Sequence, residues 1–119
     1  MGPNKLAGRR ILVVEDDYYL VRELVELLER AGATIIGPFA TVGDALSSLE
    51  RAPDAAILDL CLVDETSLAV AHRLEERGTP FIFTTGAPNE LPASHGAHSV
   101  LLKPANDASI LRALGEALA

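Results

Sequence analysis

The chain has 119 residues, of which 49% are hydrophobic and 4% aromatic, and its formal net charge is −7. This length and composition suit one domain with an aliphatic core and exclude a disordered tail. The acidic balance argues against binding to nucleic acid or to an anionic membrane, because both attract a basic protein surface.

Strand-like and helix-like segments alternate along the chain. Short apolar runs predict strands, and apolar residues that recur about every 3.6 positions predict helices. Capping residues before a helix and Gly or Pro after it mark the expected ends. In chain order the pattern predicts a strand at 11–14, a helix from Leu20 to Gly32, a strand at 34–36 closed by Gly37 and Pro38, a helix capped by Thr41 and ended by Pro53, a strand at 55–58, a helix from Leu68 to Gly78, strands at 81–84 and 100–102, and a helix capped by Asn106 or Asp107.

Segment 87–98, APNELPASHGAH, follows the predicted fourth strand. Its two prolines and one glycine leave room for one short or frayed helix at most. We therefore expect this segment to be an element of low local stability.

The alternation of strands and helices implies a parallel sheet with helices on both faces. Right-handed crossovers and five strands favour a doubly wound, flavodoxin-like α/β fold with the strand order 2-1-3-4-5. We expect residues 1–8 to form a flexible N-terminal lead and residues 9–119 to form the domain. Ligands of such sheets bind at the carboxyl ends of the strands, beside the switch point between the first and third strands.

Cellular location is constrained by three features of the sequence. The single cysteine, Cys61, cannot form an internal disulfide, which favours a reducing compartment. The N-terminal stretch MGPNKLAGRR has no apolar segment typical of a signal peptide, and no apolar run reaches the length of a membrane span. We therefore expect a cytoplasmic protein that does not bind membranes.

Polar or charged side chains follow four of the five predicted strands, where each strand ends. Because the carboxyl ends of parallel strands share one edge of the sheet, we expect these side chains to lie close together. In chain order they are Glu15, Asp16, Asp17, Asp59, Thr84, Thr85 and Lys103.

This set of groups indicates a particular chemistry. Converging carboxylates repel one another unless a cation lies among them. Hard oxygen ligands that stay open to water suit Mg²⁺, which commonly shares its open positions with a phosphoryl group. A carboxylate nucleophile, a metal, a lysine and a hydroxyl are together the parts that aspartyl-phosphate chemistry requires.

The same residues resemble a known family. VVEDD after the first strand, the lone Asp59 at the end of the third, TTG after the fourth and KP after the fifth resemble a response-regulator receiver domain with the CheY-like fold. The resemblance covers nearly the whole chain, residues 9–118. It implies that Asp59 accepts a phosphoryl group from a histidine kinase or a histidine phosphotransfer protein and later loses it by hydrolysis. It also implies a phosphorelay signalling module that catalyses only these two steps on itself, and not an enzyme with a separate substrate.

The resemblance also implies the ligands of the metal. Asp16 would bind Mg²⁺ directly, and Glu15 would act through a water molecule. Asp59 and the backbone carbonyl of Cys61 would supply further oxygen ligands.

Two more roles follow from the resemblance. Thr85 would contact the phosphoryl group and Lys103 would pair with it. Thr84 and Thr85 compete for the hydroxyl role, and Thr85 is preferred because it precedes the glycine of TTG. The peptide bond between Lys103 and Pro104 would be cis.

A narrower resemblance is to the FATGUY subgroup of bacterial receivers. PFIFTTGAP matches its Phe-Ala-Thr-Gly-hydrophobic-Tyr signature except at Thr84 and Pro88. VDETS matches its Gly-Glu-x-Ser loop at Glu65 and Ser67, whereas Asp64 replaces the glycine.

Signal output is expected to take an unusual route. Receivers ordinarily carry an aromatic residue three positions before the lysine, where this sequence has Val100. The usual inward rotation of an aromatic ring is therefore not expected. We expect phosphorylation to order segment 87–98 and so to control the binding of a downstream protein, with the receiver as a monomer.

Other functions stay open. Glu at position 15, Val100 and the altered loop at 63–65 are compatible with a degenerate receiver that binds partners without phosphorylation. A haloacid-dehalogenase-type phosphatase would need a second Asp two residues after Asp59, where Cys61 stands. A P-loop nucleotide site is disfavoured because the chain has no Gly-x-x-x-x-Gly-Lys stretch.

Overall fold

Parallel strands form the centre of this computed structural model, which describes residues 5–87 and 100–119. The sheet has the order β2-β1-β3-β6-β7, and β4 and β5 form a separate antiparallel hairpin. If only the sheet strands are counted, this order is 2-1-3-4-5, which confirms the predicted flavodoxin-like fold. In chain order the strands are β1 (Arg10–Val14), β2 (Thr34–Phe39), β3 (Ala55–Asp59), β4 (Cys61–Leu62), β5 (Glu65–Thr66), β6 (Phe81–Thr85) and β7 (Val100–Leu102).

The described helices begin and end close to the predicted positions. Asp17, Thr41 and Asn106 cap three of them, because each side chain accepts a backbone N–H of the first turn. Gly32 and Gly78 follow two of the helices with positive φ angles, which end a helix without strain in glycine. The helices are α1 (Tyr18–Arg30), α2 (Val42–Ser47, continued by a 3₁₀ turn at Ser48–Arg51), α3 (Leu68–Arg77) and α4 (Asp107–Ala117).

Both faces of the sheet are covered by helices. In β1, Leu12 and Val14 pack on the side of α2 and α3, whereas Ile11 and Val13 pack on the side of α1 and α4. All five residues of β3 are buried. This explains why β1 and β3 read as continuous apolar runs, since a strand covered on both faces has no polar side.

Strand β2 is longer than predicted. It continues past Gly37 and the cis peptide bond to Pro38 as far as Phe39, which pairs with Val14. The prediction of an end at residue 36 was wrong because the pairing with β1 shifts register and then resumes. The Glu15 N–H donates to the Phe39 carbonyl at 3.0 Å, so this extra pairing holds the backbone of the first acidic residue.

The N-terminal segment contributes to packing. Leu6 is 3% exposed and belongs to the core on the α1 and α4 side, and the Gly8 N–H donates to the Gly32 carbonyl at 2.9 Å. Packed structure thus begins before residue 9, while the division of the chain into a lead and a domain stays a prediction.

The element predicted within 87–98 lies outside the described residues from position 88 onward. In the part of the chain that the structure does describe, no helix has both the length and the apolar character needed to cross a membrane.

Ser67 provides a test of the packing. It is fully buried before α3, and among the described residues its hydroxyl has no hydrogen-bond partner. A buried hydroxyl without a partner costs about 1–3 kcal/mol. We therefore expect Ser67→Ala to raise the free energy of unfolding by about 1 kcal/mol, measured by urea denaturation. A loss of stability would show that the hydroxyl does have a partner in solution.

Candidate functional site

Charged side chains from three strand ends meet at one edge of the sheet. Lys103, which follows β7, places its Nζ 2.8 Å from Glu15 Oε1 and 3.1 Å from Asp59 Oδ2. Glu15 is 7% exposed and Asp59 is 4% exposed. The convergence that was predicted from the sequence is therefore present, and it is largely withdrawn from water.

Backbone pairing beyond the strand ends positions these side chains. The Leu60 N–H donates to the Thr84 carbonyl at 2.9 Å, one residue past Asp59. The Lys103 N–H donates to the Thr85 carbonyl at 2.9 Å, one residue past the end of β7. The reactive groups are consequently fixed by the rigid sheet and not by the connecting loops.

Glu15 is bonded through both of its carboxylate oxygens. Oε1 accepts the Lys103 ammonium, and Oε2 accepts the N–H groups of Asp16 and Asp17 at 3.1 and 3.2 Å. Burial and the hydrogen bond and charge of Asp59 nevertheless raise the pKa of Glu15, and Lys103 and the Asp17 N–H only partly oppose this. The ionised form of Glu15 is thus disfavoured at this position.

The same cluster also raises the pKa of Lys103, which favours the charged form of the lysine. Burial lowers the pKa of its ammonium, but the hydrogen bonds and charges of Glu15 and Asp59 outweigh burial and leave the pKa raised. Lys103 is therefore a permanent cation at neutral pH.

Carboxylate oxygens of Glu15, Asp16 and Asp59 all lie within 4.8 Å of one another. Three carboxylates face one ammonium, so the cluster carries excess negative charge when all three are ionised. Hard oxygen donors of this kind are those that Mg²⁺ prefers. The arrangement fits a divalent cation, as the spacing of acids in the sequence predicted.

Asp16 has a contact that the sequence did not predict. Its Oδ2 accepts the backbone N–H of Val63 at 2.7 Å, in the turn between β4 and β5. The Cys61 N–H lies 3.4 Å from Asp59 Oδ1, so the hairpin approaches two of the three acids. The sequence did not predict the hydrogen bond from Val63 to Asp16, because every residue type except proline offers the same backbone N–H donor. The role of the Cys61 backbone carbonyl as a metal ligand stays a prediction.

The two threonines of β6 occupy different sides of the sheet, because consecutive strand residues alternate. Thr84 pairs in register with Asp59 and lines a cavity of about 340 Å³ between α1 and α4, together with Glu15 and Lys103. Thr85 is 1% exposed, and its hydroxyl accepts the Ala87 N–H at 2.9 Å. The preference for Thr85 as the phosphoryl contact stays a prediction.

Two further predictions concern the fifth strand of the sheet. The peptide bond between Lys103 and Pro104 is cis, as expected. Val100 occupies the position at which receivers ordinarily carry an aromatic residue. It is half-buried, pairs with Phe83 and packs against the core on the side of α2 and α3.

The family model of the response regulator receiver domain matches residues 11–115. The chain belongs to this family. Receivers are signalling modules of two-component systems that work with histidine kinases or phosphotransfer proteins, and they bind Mg²⁺ through an acidic pocket. The cluster of Glu15, Asp16 and Asp59 could hold such an ion.

Known proteins resemble the receiver over most of its length. The photosynthetic apparatus regulatory protein RegA of Rhodobacter capsulatus is 34% identical over 122 residues, which cover 94% of this chain and 66% of RegA. The solution structure of SdrG from Sphingomonas melonis Fr1 has 35% identity and a TM-score of 0.82, covering 97% of this chain and 98% of SdrG. The structure of a CheY-like receiver domain from Methylobacillus flagellatus has 29% identity and a TM-score of 0.78, covering 92% of this chain and 98% of the Methylobacillus chain. The chain thus spans just under two thirds of RegA and nearly all of the two solved structures.

The raised pKa of Glu15 predicts how the free energy of unfolding depends on pH. A carboxyl whose pKa is raised on folding stabilises the fold while it is protonated, and this stabilisation is lost as pH rises from 4.5 through the raised pKa. With EDTA present at pH 7, we expect Glu15→Gln to raise the melting temperature and to flatten its pH dependence above 4.5.

The exposed Glu50→Gln is the matched control and should leave both quantities unchanged. A melting temperature of Glu15→Gln below that of the wild type at pH 7 would contradict the direction of the pKa shift. Added Mg²⁺ should stabilise the wild type more than Glu15→Gln, because the variant has lost one negative ligand.

Proposed function

We propose that this receiver takes a phosphoryl group onto Asp59 from a histidine kinase or a histidine phosphotransfer protein and later loses it by hydrolysis. The observation that carries the proposal is the contact of Lys103 with Asp59 at 3.1 Å, inside a cluster whose carboxylates lie within 4.8 Å of one another. Glu15, Asp16, Asp59 and the Cys61 carbonyl would hold Mg²⁺.

Each residue then has a distinct task. An oxygen of Asp59 forms the new O–P bond as the P–N bond of the phosphohistidine breaks. Lys103 neutralises negative charge beside that oxygen, and the Thr85 hydroxyl donates to a phosphoryl oxygen. Bound Mg²⁺ would supply the positive charge that one ammonium cannot, since three carboxylates and a phosphoryl group share the site.

Thr85 is proposed to transmit the conformational change that follows phosphorylation. Its hydroxyl accepts the Ala87 N–H, and turning toward a phosphoryl group would break that bond. The chain after Ala87 leads into the region between the fourth and fifth strands of the sheet, whose change would control a downstream protein partner. Val100 supports this route, because the ring that would otherwise relay the signal is absent at that position.

We propose that the receiver is related to the FATGUY subgroup. PFIFTTGAP and VDETS support the assignment. The receiver is proposed to act as a monomer.

One observation favours a second candidate, a receiver that binds partners without phosphorylation. Both oxygens of Glu15 are already bonded to groups of the protein, which weakens it as a metal ligand. The two candidates differ in whether Asp59 can be phosphorylated.

Acetyl phosphate with Mg²⁺ should add the mass of one phosphoryl group to the intact receiver, as measured by mass spectrometry. Asp59→Asn should abolish the addition, because an amide is not a nucleophile of this kind, and EDTA should prevent it. Asp44→Asn, an exposed change on α2, should leave the addition unchanged. If the wild type gains no mass, the phosphorylation-independent module becomes the better proposal.

Beryllium fluoride with Mg²⁺, which imitates the phosphoryl group, should shift the amide resonances of Asp59, Thr85 and Ala87 strongly and those of α2 little. The reason is that Thr85 is bonded to Ala87 and not to α2. Large shifts in α2 with an unchanged Ala87 resonance would contradict the proposed route.

A further inference from the structure

The β4–β5 hairpin connects the strand that ends in Asp59 to α3. It has two residues in each strand and is closed at its base by the Ser67 N–H, which donates to the Leu60 carbonyl at 2.9 Å. A hairpin of this size is not stable alone, so contacts with the rest of the domain must decide its position.

The inner side of the hairpin meets the acidic cluster. At its turn, the Val63 N–H donates to Asp16 Oδ2 at 2.7 Å. The Val63 side chain is 72% exposed, so apolar packing does not hold this backbone group in place. The hydrogen bond orients a predicted metal ligand only while the turn stays where it is.

The outer side of the hairpin is tied to a different element. Glu65 Oε2 accepts the N–H of Val42, the first residue of α2, at 3.1 Å. The first N–H groups of a helix have no partner within the helix, and the Thr41 hydroxyl serves only the Asp44 N–H. Glu65 therefore adds to the cap of α2 and at the same time anchors the hairpin to it.

We propose that Glu65 is a positioning residue for the phosphorylation site. Its carboxylate fixes β5 on α2, β5 fixes β4 and the turn, and the turn presents the Val63 N–H to Asp16. Glu65 touches none of the reacting atoms and acts through the backbone of the hairpin. Its effect on phosphoryl transfer rests on the function proposed above, whereas its effect on the metal ligands does not.

The experiment compares Glu65→Ala and Glu65→Gln with the wild type and with Glu50→Ala, which removes an exposed glutamate just beyond the other end of α2. Amide hydrogen exchange at Val42 and Val63 is measured by NMR without metal, and Mg²⁺ is then titrated in the absence of any phosphate donor. The melting temperature is recorded for every variant.

We expect Glu65→Ala to speed exchange at both amides and to weaken Mg²⁺ binding by about threefold to tenfold. This is below most of the roughly 10- to 100-fold range for direct partners of metal ligands, because Glu65 acts through the hairpin backbone. Glu65→Gln keeps an oxygen acceptor and should recover most of the affinity. Glu50→Ala should match the wild type. The melting temperatures should stay close together, because the bond lies on an exposed surface.

Unchanged exchange at Val63 and unchanged Mg²⁺ affinity in Glu65→Ala would overturn the proposal, as would an equal loss of affinity in Glu50→Ala. Failure of the proposed function is a separate result. In that case the wild type would bind Mg²⁺ with the expected dependence on Glu65 and would still gain no mass from acetyl phosphate.

Discussion

The ammonium of Lys103, held between Glu15 and Asp59, is the interaction on which the site depends. Two buried carboxylates this close repel each other and favour the uptake of a proton by Glu15, and the ammonium partly opposes both effects. The ion pairs keep both acids in place where β1 and β3 end, and the sheet carries Lys103 to them through β7. Asp16 adds a third negative charge that the lysine does not balance.

The excess of negative charge that suits the site for a cation also lowers the stability of the fold. Burial and the neighbouring Asp59 raise the pKa of Glu15, which means that the charged site opposes folding at neutral pH. The apolar strands beside it supply the opposing stabilisation, since β3 is buried along its whole length and β1 contributes core residues to both faces of the sheet. A receiver can therefore keep an acidic cluster that gains from a cation, because the rest of the domain holds the acids in position before the cation arrives.

The two sides of the sheet serve the site differently. On the side of α1 and α4, Thr84, Glu15 and Lys103 line an open cavity. On the side of α2 and α3, Thr85 is buried and bonded to Ala87, and the β4–β5 hairpin is anchored to α2 through Glu65. Groups that could report on the occupancy of Asp59 thus lie mainly on the second side, where backbone hydrogen bonds connect them to neighbouring elements.

The sequence by itself determined the order of strands and helices, the helix cap at Thr41, the choice of Asn106 or Asp107 as the cap of the last helix, and the convergence of acids and lysine. These features follow from local capping, from burial on both faces, and from the rule that parallel strands end at one edge. Only the tertiary structure decided the extension of β2 to Phe39, the cap of the last helix at Asn106, and the hydrogen bonds of Val63 and Glu65. The reason is physical: register shifts and backbone N–H donors are set by the packing of distant elements, and a backbone group is the same in every residue type except proline.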